Sequence, residues 1–103
     1  MAKNKKMVTV GIGFLFLAGT FSAQAYTGEA LAKQAKVTMA EARAIALKAH
    51  PGKVTDRELE KEPGGSGLRY SFDIRKGNVT QEVGVDTQTG AVLENKPEGA
   101  NPD

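Results

Sequence analysis

From residue 37 to residue 93 the hydrophobic positions change period once. Met39, Ala42, Ile45, Ala46 and Ala49 fall on one side of a 3.6-residue wheel, with Glu41 and Lys48 well away from it, which predicts an amphipathic helix with a mostly alanine stripe. Thr38 and Glu41 form a T-x-x-E capping box, and Val37 and Ala42 stand at the staple positions, so the helix is expected to begin at Thr38. Pro51-Gly52 stops it just after His50, at about 13 residues and near 20 Å.

Beyond Gly52 the period falls to two. Residues 53–62 read as an irregular edge strand, because Val54 and Leu59 have opposite parity and share a face only across a bulge. Pro63-Gly64-Gly65-Ser66-Gly67 has the composition of a flexible loop tip. Leu68, Tyr70, Phe72 and Ile74 then alternate with polar residues in a clear strand over 68–75.

Gly77-Asn78 suits a two-residue hairpin turn, which sets Tyr70 opposite Val85, Phe72 opposite Val83 and Ile74 opposite Gln81. The same register sets Arg69 opposite Asp86 and Asp73 opposite Glu82, and both pairs are expected to face water. The Asp86 side chain is placed to accept from backbone amides two or three residues on, and Gly90 supplies a positive φ, so the chain reverses into 91–93.

The ends have a different character. Lys3, Lys5 and Lys6 precede an uncharged stretch over 7–21, followed by Ala23-Gln24-Ala25, a small-residue cleavage pattern. The apolar run is shorter than the roughly 20 residues that span a bilayer and holds Gly11, Gly13 and Gly19. Residues 1–25 are therefore read as a signal peptide, 26–36 as a lead-in segment with a candidate short helix, 37–94 as the domain and 95–103 as a disordered tail with Pro97, Gly99 and Pro102.

Processing changes the charge. The full chain carries 14 basic and 12 acidic residues, net +2; loss of three lysines leaves the mature chain at about −1, because every acidic residue follows Ala25. A nucleic-acid or anionic-membrane role loses its basic footprint. With no cysteine there is no disulfide framework, no thiol chemistry and no lipid attachment site. What remains is one small domain that buries about 60% of its unfolded surface.

The pattern Thr38-x-x-Glu41-Ala42, Ala46-Leu47-Lys48-Ala49-His50-Pro51-Gly52-Lys53-Val54, Tyr70-x-Phe72-x-Ile74 and Val85-Asp86-x-x-Thr89-Gly90-x-Val92 closely resembles a PepSY domain. The resemblance implies an α+β fold: one main helix packed on an antiparallel sheet of three to four strands, as in propeptides of thermolysin-like metalloproteases, where such domains hold the protease inactive and assist its folding. It marks Thr38, Glu41, Pro51, Gly52, Tyr70, Phe72, Asp86 and Gly90 as fold motifs and brings no catalytic residue with it. Because no protease follows the domain, action in trans is expected.

Candidate chemistry is sparse. His50 is the sole histidine and sits in the last helical turn, where helix capping accounts for it. Asp73 with Glu82 belongs to a solvated strand face, and Ser66 and Ser71 have no expected base nearby. Glu58, Glu60 and Glu62 share one side of the first strand, where they protect an exposed edge. Leu47 and Ala40 lie away from the core stripe, and packing within the chain is the economical account of them.

No catalytic, cofactor or metal site is therefore expected. The leading reading is an exported, non-enzymatic module that binds and restrains or modulates a peptidase, by way of an edge strand or the loop 63–67. The alternative is an envelope interaction or sensory module that binds a membrane protein or a small ligand. The periplasm is the expected location, with full secretion as the alternative, and the chain is expected as a monomer or a weak edge-paired dimer.

Overall fold

The computed structural model describes residues 25–99. The signal peptide expected over 1–25 lies outside the described residues except for Ala25, and so do the last four residues of the tail. A 3-10 turn, Glu29–Gln34, leads into helix α1, Met39–Ala49. Four strands follow: β1 Lys53–Lys61, β2 Leu68–Lys76, β3 Val79–Asp86 and β4 Val92–Pro97. They form one sheet in the order β1-β2-β3-β4, antiparallel throughout, with the helix packed across β2, β3 and β4. The architecture is the expected α+β.

Local chemistry explains each element. The Glu41 amide donates to Thr38 Oγ1 (3.1 Å) and the Thr38 amide to Glu41 Oε1 (2.9 Å), which closes the capping box. At the other end the His50 amide donates to the Ala46 carbonyl before Pro51. Gly52 sits where the chain leaves the helix and runs against β2: a Cβ there would lie 2.7 Å from both the Arg75 carbonyl oxygen and Ile74 Cγ2.

The core is the layer between helix and sheet. Ala42 and Ala46 lie on Leu59, Tyr70, Phe72, Ile74, Val83 and Val85, all sealed from solvent. Alanine at the contact lets the helix axis approach the sheet closely, so the aromatic rings fill the layer instead of propping it open. The hairpin register matches expectation: Tyr70 faces Val85, Phe72 faces Val83 and Ile74 faces Gln81. The bulge in β1 falls between Val54 and Asp56, which brings Val54 and Leu59 to the same side.

Several expectations are corrected. Ala49 is exposed, and Leu47 joins Ala42 and Ala46 in packing against the core. The helix spans 11 residues, shorter than expected. The lead-in segment holds a 3-10 turn, Glu29–Gln34, entered through Gly28. The ordered chain runs past 94: residues 95–97 complete β4, with Asn95 opposite Val83 and Pro97 opposite Gln81.

The largest correction concerns the sheet's second face. Arg69 and Asp86 were expected to face water, yet they are only 7% and 1% exposed, and Ser71 is also buried. Asp73 and Glu82 are half-buried. Among the described residues no helix lies on this face, but its own side chains and the loop 63–67 cover it.

Candidate functional site

Gly84 explains how that face closes. It stands opposite Ser71 on one side and Glu94 on the other, and its missing side chain leaves a trough. The Arg69 side chain lies in it, so a Cβ on Gly84 would press within 3.3 Å of Arg69 Cδ, Arg69 Nη1 and Glu94 Cβ. Arg69 Nη1 pairs with Glu94 Oε1 (3.4 Å), and Nη2 donates to the Pro63 carbonyl (3.0 Å). Lys96 pairs with the other Glu94 oxygen at 3.2 Å. The stem of Arg69 covers the face and its head clips the loop to the sheet.

Asp86 is the second clip. Its Oδ1 accepts from the Ser66 amide and from Ser66 Oγ, both at 2.8 Å. Its Oδ2 accepts from the Gln88 and Thr89 amides at 3.0 Å and from Thr89 Oγ1 at 3.1 Å. Burial pushes this carboxyl upward, but the bonds from Ser66, Gln88 and Thr89 outweigh it and hold the group well below the ordinary carboxylate range. It stays ionised as a fixed acceptor.

The turn that Asp86 organises then reaches outward. Thr87 bonds the Leu68 carbonyl through its amide and its hydroxyl, and the Thr87 carbonyl accepts from the Lys36 and Val37 amides. Gly90, at φ +79°, lets the chain reverse beside Ile45. Tyr70 Oη donates to the Val37 carbonyl at 2.7 Å, and burial raises its pKa so that it stays protonated. Asp86, Gly90, Tyr70 and the Thr38 to Glu41 cap thus meet at one end of the domain. Pro51 and Gly52 sit at the other end, and Phe72 lies in the core between them.

Within this arrangement Ser66 and Asp86 are engaged with each other and with the turn. Ser66 does touch a carboxylate, which its place in a glycine loop did not suggest. A carboxylate stripped of basicity by five donated hydrogen bonds is a poor proton acceptor. His50 stands at the far end of the helix, about 16 Å of helical rise away, so it does not reach Ser66 or Asp86. Ser71 Oγ donates to Glu60 Oε2 at 2.6 Å, and the Glu62 carboxyl, hydrogen-bonded to Glu60, is raised above its ordinary value. Among the described residues no group of three or more His, Cys, Asp or Glu side chains is placed to hold a metal ion.

A helix entered through a T-x-x-E cap, a Pro-Gly exit, an aromatic strand and an Asp86-to-Gly90 turn joined back to the cap make up one connected framework. The family model described as "Peptidase propeptide and YPEB domain", PepSY, matches residues 36–96. The chain belongs to the PepSY family. No curated protein and no solved structure matches it.

The PepSY match begins at Lys36, whose amide is the first to bond the Thr87 carbonyl, and ends at Lys96, near the end of the last strand. It therefore spans the whole helix-on-sheet unit and leaves the 3-10 turn outside. PepSY is a family of propeptide and regulatory domains, known in peptidase propeptides and inhibitors. Among the described residues no helix is long and apolar enough to cross a membrane.

Proposed function

We propose that this chain is an exported, non-enzymatic PepSY module, acting in the periplasm, that binds a peptidase in trans and restrains or modulates it. The PepSY match over the whole helix-on-sheet unit carries this reading. The side chains support it: Ser66, Ser71 and the buried Asp86 carboxylate are all bonded within the fold. A domain of this kind acts by shape. A rigid sheet offers main-chain donors and acceptors at its edge, to which a peptidase's extended segment can add as a strand without any reactive side chain.

The test is inhibition of a thermolysin-type metallopeptidase by micromolar residues 26–103, with Phe72→Asp as the unfolded control. Inhibition by the folded chain alone is expected. Undiminished peptidase activity at that concentration overturns the reading. The family description covers YPEB as well as propeptides, and this favours one alternative, an envelope interaction or sensory module that binds a membrane protein or a small ligand. That reading predicts ligand-dependent thermal stabilisation with no effect on a peptidase.

A further inference from the structure

The two sheet edges are protected by different means. The β4 edge is blocked by its own residues: it is six residues long, its register shifts between Gly84 and Val85, and it carries the ion-paired Lys96 and the donorless Pro97. The β1 edge is nine residues long and is covered by the chain that precedes the helix. Thr27 forms a parallel β-bridge with Glu58, and the Leu59 amide donates to the Thr27 carbonyl at 2.8 Å. The Tyr26 ring lies 5.7 Å beneath the Arg57 guanidinium.

This cover is shallow. The 3-10 turn that follows it has no buried residue and no side-chain cap; Leu31, Ala32 and Ala35 touch the core without being enclosed. Segments held this way open at a fraction of the global unfolding free energy. The cover also hangs on a single glycine. Gly28 has φ +86°, and a Cβ there would clash with the Leu59 carbonyl oxygen.

Leu59 therefore turns its amide and carbonyl outward, and Lys61, two residues on in the same unbroken register, presents its backbone the same way. Glu58 and Glu60 flank this edge from the polar face. We propose that the β1 edge accepts an extended, basic segment of a partner polypeptide as a fifth strand, and that residues 26–28 hold that place in the free protein. Thr27 already shows the bonding that such a strand makes, one residue at a time. The partner being a peptidase rests on the function proposed above; the edge and its strap do not.

Two variants release the strap. Gly28→Ala sets a methyl against the Leu59 carbonyl, and Tyr26→Ser removes the stacking on Arg57 without backbone strain. Gly77→Ala is the control, because it changes a glycine of φ +64° with nothing near its Cβ. The probe is an acetylated, amidated octapeptide of alternating threonine and lysine, followed by amide shifts and by hydrogen exchange at Leu59.

Release should speed Leu59 exchange and tighten octapeptide binding by the same factor, at least about tenfold, because the strap taxes binding by the fraction of time the edge is open. Shifts should centre on Leu59 and Lys61, with Gly77→Ala matching wild type. Equal affinity for wild type and both release variants, shifts that map elsewhere, or no binding to any of them overturns the proposal. A parallel assay on the metallopeptidase separates the two ideas. Inhibition that the release variants leave unchanged, with no octapeptide binding, overturns the edge and leaves the peptidase reading standing. Octapeptide binding with no inhibition does the reverse.

Discussion

Ser66 grips one oxygen of Asp86 twice, with its backbone amide and its hydroxyl each 2.8 Å from Oδ1. Twenty residues separate them along the chain. The contact converts a glycine-rich stretch into a fixed cover over the end of the sheet, and it ties the stability of the domain in acid to the Asp86 carboxylate.

Asp86→Asn should destabilise the domain by about 2 to 3 kcal/mol at pH 7, because an amide offers a donor where the native site holds only donors. The sign with pH follows from the depressed folded pKa. The stabilisation is complete above the ordinary value of 3.8 and is lost as pH falls from there through the lower folded value. Urea melts from pH 7 downward should show wild type losing stability below about pH 4, whereas the variant starts lower and falls less.

Tyr70→Phe removes the donor to Val37 and keeps the ring. A loss of about 1 kcal/mol is expected, with the helix-to-turn junction loosened; faster amide exchange at Lys36 and Val37 would report it. No change in either quantity would show that the bond does not hold the helix entry.

Ala46→Leu forces extra volume between α1 and the sheet, where Ala46 is fully enclosed. A cost of about 1 to 3 kcal/mol is expected in thermal or chemical melts. Thr38→Ala should cost about 1 kcal/mol through loss of the cap. The two losses should add, since one site is a surface cap and the other a core contact.

Sedimentation should give a monomer mass that does not change with concentration, since Lys96 and Pro97 guard one edge and the strap the other. Gly28→Ala is the variant expected to self-associate, and a dimer of wild type would show that the guards fail.

Much of this fold is legible in the sequence, for a physical reason. The cap at Thr38, the turn at Gly77, the facing of Tyr70 and Val85 and the bulge after Val54 all follow from neighbours or from a period of two. The polar face was misread because alternation assigns a side to each residue and says nothing of what folds over it. Arg69 counts as solvent-facing by parity, and only the trough left by Gly84 lets it lie down. Ser66 lay in a run whose glycines suggested motion. Its hydroxyl, the one side-chain donor in that loop, was the available signal, once the register had set Arg69 and the neighbouring loop beside Asp86. Residues 95–97 read as tail because Asn, Lys and Pro lack a hydrophobic period, although backbone pairing to β3 needs none.

Every strand in this sheet pairs with its neighbour in sequence, so the contact order of the meander is low and its loops close cheaply. Among the described residues, the bonds with the longest sequence separation lie at the seam where Gln88 Nε2 donates to the Gln34 carbonyl, 54 residues away, and where Lys36 and Val37 reach Thr87. The hairpins are thus expected to form first and the helix to dock next. The strap, whose 3-10 turn buries no residue, is held more weakly than this seam, so a partner present during folding would meet the edge open for part of the time.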